Sequence, residues 1–411
     1  MTADRTTRTV ITLGVAQTLA WGSTYYLPAL LAAPMARDLG VATPTVFAAF
    51  SLALAVAALL GPAAGRWIDR HGGRMALAAS NGVFAAGLGL MALAEGPAQM
   101  VLAWLVIGVG MSAGLYDAAF ATLVRLHGGQ ARAGITGITL IAGFASTVGW
   151  PLSAWMESHW DWRGACAGWA LLHLAIGLPL NLSVPRATHP PHESPPAPHA
   201  PDTTSGAGPG SAADSPGAPL TDATGGSTRL RQQVLLSLAF TLVLFVSTAM
   251  AAHLPQILVA SGLSLAAAVA LGGLIGPAQV GGRLLEFGVL RRLHPLLSAR
   301  LAASLHPVGA LALLVLGAPG AAAFCLLHGA GNGILTVARG TLPLALFGPS
   351  AYGRRQGFLL VPAGIAQALA PWVFGLCVEA WGVSALYLSS GLGMLMLGTL
   401  LALRVGHRPE T

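Results

Sequence analysis

Residues 61–74 read GPAAGRWIDRHGGR, joining one apolar run over 42–65 to another over 75–94. Each run is long enough to cross a bilayer, which takes about 20 residues of helix. A connection this short forces the two into an antiparallel pair. Within it, Gly65, Asp69, Arg70, Gly72 and Arg74 follow the order G-x-x-x-D-R-x-G-x-R. Gly65 permits close approach of two helix backbones. Asp69 and the arginines at 66, 70 and 74 can form a switchable charge network at the water interface. An ordinary basic turn beside a membrane span would have a similar composition.

Composition agrees with a membrane assignment. Of 411 residues only 9% are charged and 55% are hydrophobic, with a mean hydropathy of +0.70; a soluble domain carries about 25% charged residues. The net charge of +7 invites a nucleic-acid reading, but its placement argues against one. All 21 basic residues are arginine. If alternate connections share a side, seventeen fall on the tails and even-numbered connections, and two, Arg37 and Arg163, on the odd-numbered ones. Arg283 and Arg339 lie within apolar runs. The positive-inside rule then puts both termini in the cytoplasm. The absence of lysine suggests an arginine-biased genome and a bacterial inner membrane. Cys166, Cys325 and Cys377 sit singly in apolar runs, with no disulfide or metal-site spacing.

Arg5 and Arg8 ahead of an apolar run mimic a signal peptide, but the run continues to about residue 35 and reads as a retained first helix. Further runs at 98–124, 134–156 and 164–184 complete an N-terminal set of six, giving a domain over 1–184. Residues 185–229 are rich in Pro, Gly, Ser, Thr and Ala and are predicted to be a disordered linker. His189, His192 and His199 within it have no metal-ligand spacing. Six more runs, at 230–255, 264–288, 297–317, 320–347, 353–378 and 382–404, give a second domain over 230–404, followed by a short tail over 405–411. The predicted fold is therefore an all-α integral membrane protein of twelve helices in two six-helix bundles. The halves also repeat: Gly108, Gly110 and Gly143 recur as Gly329, Gly331 and Gly364 at a shift of 221, and Tyr26-Leu27-Pro28 recurs as His253-Leu254-Pro255. Paired halves of this kind suit an alternating-access transporter.

The 65–74 spacing resembles the loop between the second and third helices of the major facilitator superfamily, with Gly73 where the first residue of a basic pair is usual. Further on, GVGMSAGLYDAAFATLVRL from Gly108, Ala133-Gly134-Ile135, Gly143, Pro151, Trp162-Arg163 and the GGRLLEFGVLRR stretch are similar to the monocarboxylate and oxalate/formate branch. The resemblance implies a secondary transporter working as a monomer, with Gly65, Asp69, Arg70, Gly72 and Arg74 latching the cytoplasmic side of the outward-open state. It also implies that Arg283 holds a substrate carboxylate. Animal monocarboxylate transporters place an aspartate four residues before that arginine; here the position is Gln279.

Charges inside a membrane are expensive and mark functional candidates by default. Asp117 aligns with Ala338 under the 221 shift, beside Arg339, so the fourth and tenth helices carry opposite charges at matching depth. Either the two are a permanent structural ion pair, or Asp117 is a proton site and Arg339 part of an anion site. Arg283 offers a planar fork for a carboxylate; it could equally pair with Glu286 on its own helix. Asn332, Thr336 and Arg339 share one helical face, as do Gln17, Trp21 and Thr24. Tyr25, Tyr26, Tyr116 and His253 add hydroxyl and imidazole groups, with His253 a second proton-coupling candidate. His173, His306 and Asn81, in the sixth, ninth and third runs, read as packing or interface groups.

Other classes are weaker. Gly110-Met111-Ser112-Ala113-Gly114 matches G-x-S-x-G formally, but a nucleophile elbow needs a strand before it, and here the glycines form a small-residue packing face. Gly149 and Pro151 are split by Trp150, a partial match to the glycine-proline motif of antiporters that a packing kink explains equally well. No phosphate loop, zinc motif or dinucleotide fingerprint is present, so no cofactor is expected. The sequence thus predicts a carrier of a small organic anion, coupled to a proton, with an exporter of drugs or amphipathic metabolites as the alternative.

Overall fold

The computed structural model describes residues 2–127, 131–186, 223–347 and 352–403. These are almost wholly helical and make twelve passes. The first pass is Thr2–Ser23 and Pro28–Asp38, the second Thr43–His71, the third Gly73–Ala92, and the fourth Pro97–Gly114 and Tyr116–His127. The fifth begins with Ala131–Ala142 and continues in Ala145–Leu172, which turns at Asp161 (φ 59°) to start the sixth. Asp161 Oδ1 accepts hydrogen bonds from the backbone N–H groups of Arg163 and Gly164, at 2.6 and 3.0 Å, capping the new helix. The sixth pass ends through a π-helical turn, His173–Gly177, and Leu178–Leu182.

The second half comprises Ala223–Ala260, then Leu265–Gly272 with Ile275–Gly288, then Pro295–Leu316, Ala321–Phe347, Tyr352–Trp381 and Ala385–Ala402. The seventh pass starts seven residues before the predicted boundary at 230, because extending an established helix fixes only one residue per added hydrogen bond. Most of the linker predicted over 185–229, and the whole tail over 405–411, lie outside the described residues.

Each half centres on an aromatic and aliphatic cluster, and the two clusters exchange a few residues, Trp150 and Ala29 of the first half packing in the second and Ala252 in the first. Phe47, Phe50, Phe84, Trp104 and Trp169 anchor the first, and Leu254, Leu258, Phe324 and Phe374 the second. Gly110 and Gly114 do form a packing face: a methyl group on either would lie within 2.7 Å of the Phe84 ring. Leu171, Leu311 and Val315 stay exposed on the outside, as a surface facing acyl chains requires. The halves meet where the second pass packs on the eleventh, the first on the seventh, and the fifth on the eighth.

The motif stretch differs from its expected form. The second helix runs unbroken through Gly65 and Asp69 to His71, and the turn is the single residue Gly72, at φ 84°. That backbone conformation suits glycine and strains other residues. Gly65, expected to seat a close helix contact, faces open space, with nothing within 4 Å of an added Cβ. Close packing falls instead on Gly73, where a Cβ would sit 1.6 Å from Thr122 Oγ1 of the fourth pass. The departure from a basic residue at 73 thus has a steric cause.

Candidate functional site

Four passes, the first, fourth, fifth and eighth, are broken near their middles. Irregular backbone at membrane depth needs other partners for its polar groups, so it occurs where protein or a water-filled cavity supplies them. At the eighth-pass break, Thr147 Oγ1 donates to the Gly273 carbonyl at 2.7 Å. At the first, Trp150 Nε1 donates to the Tyr26 carbonyl at 3.2 Å. All four breaks border one central cavity of about 550 Å³, within the range of small-molecule sites. Its walls come from passes 1, 2, 4, 5, 7, 8, 10 and 11, with no lining residue from the third, sixth, ninth or twelfth.

The cavity is sealed at one end. The hydroxyls of Tyr25 and Thr248 lie 2.6 Å apart, and Gln367 Nε2 donates to Tyr25 at 3.1 Å. Ser51 Oγ accepts from the Trp372 backbone N–H at 3.3 Å, and the rings of Phe47 and His253 pack with centroids 4.0 Å apart. Toward the face bearing the described chain ends, the cavity extends past Gly61, Phe120 and Gly340. There Asp69 and Arg70 are exposed, and neither joins an ion pair among the described residues. Gly65 finds open space because this end of the molecule is apart.

One wall of the cavity is aromatic. Trp21 packs on Tyr25 and Tyr116 with ring centroids 4.7 and 4.8 Å apart, Tyr26 lies edge-on to Trp150 at 5.5 Å, and Tyr116 stacks on Phe120 at 5.2 Å. The facing wall is polar, with Gln279, Arg283, Asn332, Thr336, Arg339 and Gln367. Arg283 is buried and makes a short hydrogen bond from a terminal guanidinium nitrogen to the Thr139 carbonyl on the fifth pass. Tyr116 also engages its guanidinium. Arg283 and Glu286 form no ion pair, and Glu286 Oε2 is buried without a partner.

Asp117 lines the cavity and is exposed to it. It feels the charge of Arg339 but is not in ion-pair contact with it. Tyr25, Arg283 and Asp117 are among the electrostatic neighbours of Arg339. The two charges at matching depth therefore face one cavity in this conformation without forming a closed pair.

Of the residues singled out from sequence, Arg283, Arg339, Asn332, Tyr25, Tyr26, Tyr116 and Asp117 come together here. Gln17 and His253 do not. Gln17 Nε2 donates to the Gly114 carbonyl at 2.8 Å, and His253 Nε2 donates to the Pro371 carbonyl at 2.8 Å; both residues are buried outside the cavity lining. Each donates to an internal backbone acceptor, as buried polar groups generally do, while Gln17 Oε1 is buried with no partner among the described residues. His173 hydrogen-bonds Asn81 Oδ1 at 2.8 Å and Ser23 Oγ at 2.7 Å, tying the sixth pass to the third and first. Sequence reading passed over Gln367, Ser247 and His328 as cavity residues. His328 had a signal: it lies four residues before Asn332, on the face that continues to Thr336 and Arg339.

A family model described as Major Facilitator Superfamily matches residues 13–326. The chain belongs to the Major Facilitator Superfamily. It is therefore a membrane transporter of small molecules. Its fold is similar to a crystal structure of a mutant of the nucleoside transporter NupG, with TM-score 0.74, 15% identity, and coverage of 97% of this chain and 99% of that one. It is also similar to a bacterial homolog of the human lysosomal transporter Spinster, inward-facing and occupied, at TM-score 0.63 and 15% identity, covering 95% and 93%. The unoccupied inward-facing form of that homolog gives TM-score 0.63, 16% identity, and 97% and 94%. At these identities the similarity concerns the fold. No curated protein matches the chain in sequence.

Proposed function

We propose that this transporter carries a small organic anion of monocarboxylate type, driven by a proton, with both termini in the cytoplasm of a bacterial inner membrane. The reading is carried by Arg283 and Arg339, which share a cavity with the single carboxylate of Asp117 among its lining residues. Two guanidinium groups and one carboxylate among the described lining residues give the wall a positive balance, which favours an anion. Arg283 would hold the substrate carboxylate with Arg339 assisting, and Tyr25, Tyr26, Tyr116 and Asn332 would complete the contacts.

The Arg283–Thr139 bond suggests how binding moves the protein. Arg283 is on the second half and Thr139 on the first. A substrate carboxylate makes a charge-assisted bond stronger than one to a neutral carbonyl. Taking Arg283 away from Thr139 would release one tie between the halves and favour rocking. The 65–74 motif would latch the cytoplasmic end in the opposite state, and Asp117 would exchange a proton with the cavity.

Uptake into proteoliposomes tests this, using labelled small carboxylates with and without an inward proton gradient. Gradient-driven uptake in wild type, lost in Arg283→Ala, is expected. The second reading, proton-driven export of drugs or amphipathic metabolites, draws on the aromatic wall formed by Trp21, Tyr26, Tyr116 and Phe120. Extrusion of a cationic dye with no carboxylate uptake would select it.

A further inference from the structure

A second titratable cluster opens onto the cavity from its far wall. His306 of the ninth pass and His328 of the tenth are both buried, with their Nδ1 atoms 3.0 Å apart. His306 Nε2 lies 3.1 Å from Ser389 Oγ of the twelfth pass, and Ser389 donates its own proton to the Leu386 carbonyl. His328 lines the main cavity, and both histidines line a side pocket of about 20 Å³ that shares Val243, Ser247, His328 and Asn332 with it. A pocket of that size holds about one water.

One arrangement of protons satisfies every contact in the chain. With the Ser389 hydrogen on the Leu386 carbonyl, its oxygen accepts and His306 Nε2 carries a proton. A neutral His306 then has a bare Nδ1, which accepts from Nδ1–H of His328. That leaves Nε2 of His328 as the one nitrogen of the pair with a free lone pair, and no protein partner for it occurs among the described residues. A proton added at Nε2 makes His328 an imidazolium that still donates from Nδ1. A second proton would place two N–H groups against each other across 3.0 Å, which like-charge repulsion forbids. The pair therefore takes up one proton.

Among the described residues that line the side pocket, no other is titratable. The seventh pass presents Val243, Val246 and Ser247, the ninth adds Ala302, the tenth Gly331, Asn332 and Leu335, and the twelfth Met396 with Ser389. Among the described residues neither a carboxylate nor an arginine acts on either imidazole, and the charge partner of His306 is His328. The nearest charged side chains on the cavity wall are those already described, Asp117, Arg283 and Arg339.

We propose that the His306–His328 pair is a single-proton site facing the cavity, with His328 Nε2 taking the proton and His306 and Ser389 positioning it. The coupling role rests on the anion-carrier reading. A protonated His328 adds positive charge to the wall that bears Arg339, so proton and anion each favour binding of the other.

The test has two arms on full-length protein. In the first, histidine side chains labelled with ¹⁵N are titrated by NMR in detergent, in wild type, His328→Gln, His306→Gln and Ser389→Ala. One proton taken up by a coupled pair, with the coupling lost in either Gln variant and the tautomer freed in Ser389→Ala, is expected. Two independent titrations, or none, would overturn the site whether or not a substrate is known. In the second, labelled lactate, formate and benzoate are followed in proteoliposomes. His328→Gln should abolish gradient-driven accumulation and remove the pH dependence of substrate exchange, and His306→Gln should shift the pH profile. Unchanged gradient dependence in His328→Gln would remove the coupling role. If wild type carries none of the three acids, the anion reading fails and the NMR arm still decides the proton site.

Discussion

The hydroxyls of Tyr25 and Thr248, 2.6 Å apart, hold the first pass to the seventh at the sealed end of the cavity. Both residues are buried, and Gln367 donates to the same tyrosine from the eleventh pass. Three passes from two halves therefore meet on one phenol oxygen. Any state open at this end must break that junction.

Tyr25→Phe should weaken the seal. A buried hydrogen bond contributes about 0.5–1.5 kcal/mol, so the balance should move roughly two- to tenfold toward the state open at this end. Spin labels at residues 41 and 262, in the connections that flank the seal, would report it as a longer distance population. An unchanged distribution would mean that the apolar contacts, such as Phe47 on His253, hold the seal alone.

Two neighbouring glycines should behave oppositely. Gly73→Ala places a Cβ against Thr122 and should lower thermal stability by about 1–3 kcal/mol, as overpacking does. Gly65→Val meets open space in this conformation and should leave stability intact while slowing transport, by obstructing closure of the other end. Asp69→Asn should likewise fold normally and cycle slowly. Melting curves and transport rates for the three variants separate the roles, and normal rates in both Gly65→Val and Asp69→Asn would exclude a latch.

Arg283→Ala should raise the half-saturating substrate concentration about ten- to hundredfold, the range for losing a hydrogen bond to a charged group. Arg283→Lys should recover only part of this, because a lysine cannot reproduce the planar fork. Initial-rate uptake across a concentration series measures both, and an unaltered half-saturation in Arg283→Ala would move the site elsewhere.

The opposite face carries a pH-dependent tie. Asp38 accepts from Arg163 in a short ion pair and from Trp162 Nε1 at 3.2 Å, while Arg163 also donates to the Ala94 carbonyl at 2.8 Å. Hydrogen bonding to Arg163 holds the Asp38 carboxyl below its ordinary value of 3.8. A depressed carboxylate stabilises the fold above that ordinary value, and the contribution disappears as pH falls through the lowered one. Asp38→Asn should therefore melt slightly earlier than wild type near neutral pH, and the difference should vanish in strong acid. Paired melts across that range check it; both groups are partly exposed, so the effect should be modest.

Spans, count and the two-half division were legible because apolar run length and arginine placement are properties of the chain itself. Cavity residues were legible in part. Arg283, Arg339 and Asp117 stand out because a charge in an apolar run is conspicuous wherever the helix turns. Gln17 and His253 stand out in the same way yet lie outside the cavity lining: polarity marks a residue as unusual without saying whether its partner is a substrate or a backbone carbonyl. His328 escaped notice because it becomes significant only beside His306, twenty-two residues away on another helix.

The sequence by itself determined a twelve-pass membrane carrier, its repeated halves and the charged residues it holds at membrane depth, since hydrophobic length and desolvation cost act on each segment alone. Only the tertiary structure decided which end is closed, that Asp117 and Arg339 face a cavity without touching, and that Gly73 rather than Gly65 takes the close contact. Those outcomes depend on which helix faces meet. That is set by packing between segments far apart in the chain, and in a transporter the packing changes from one state to the next.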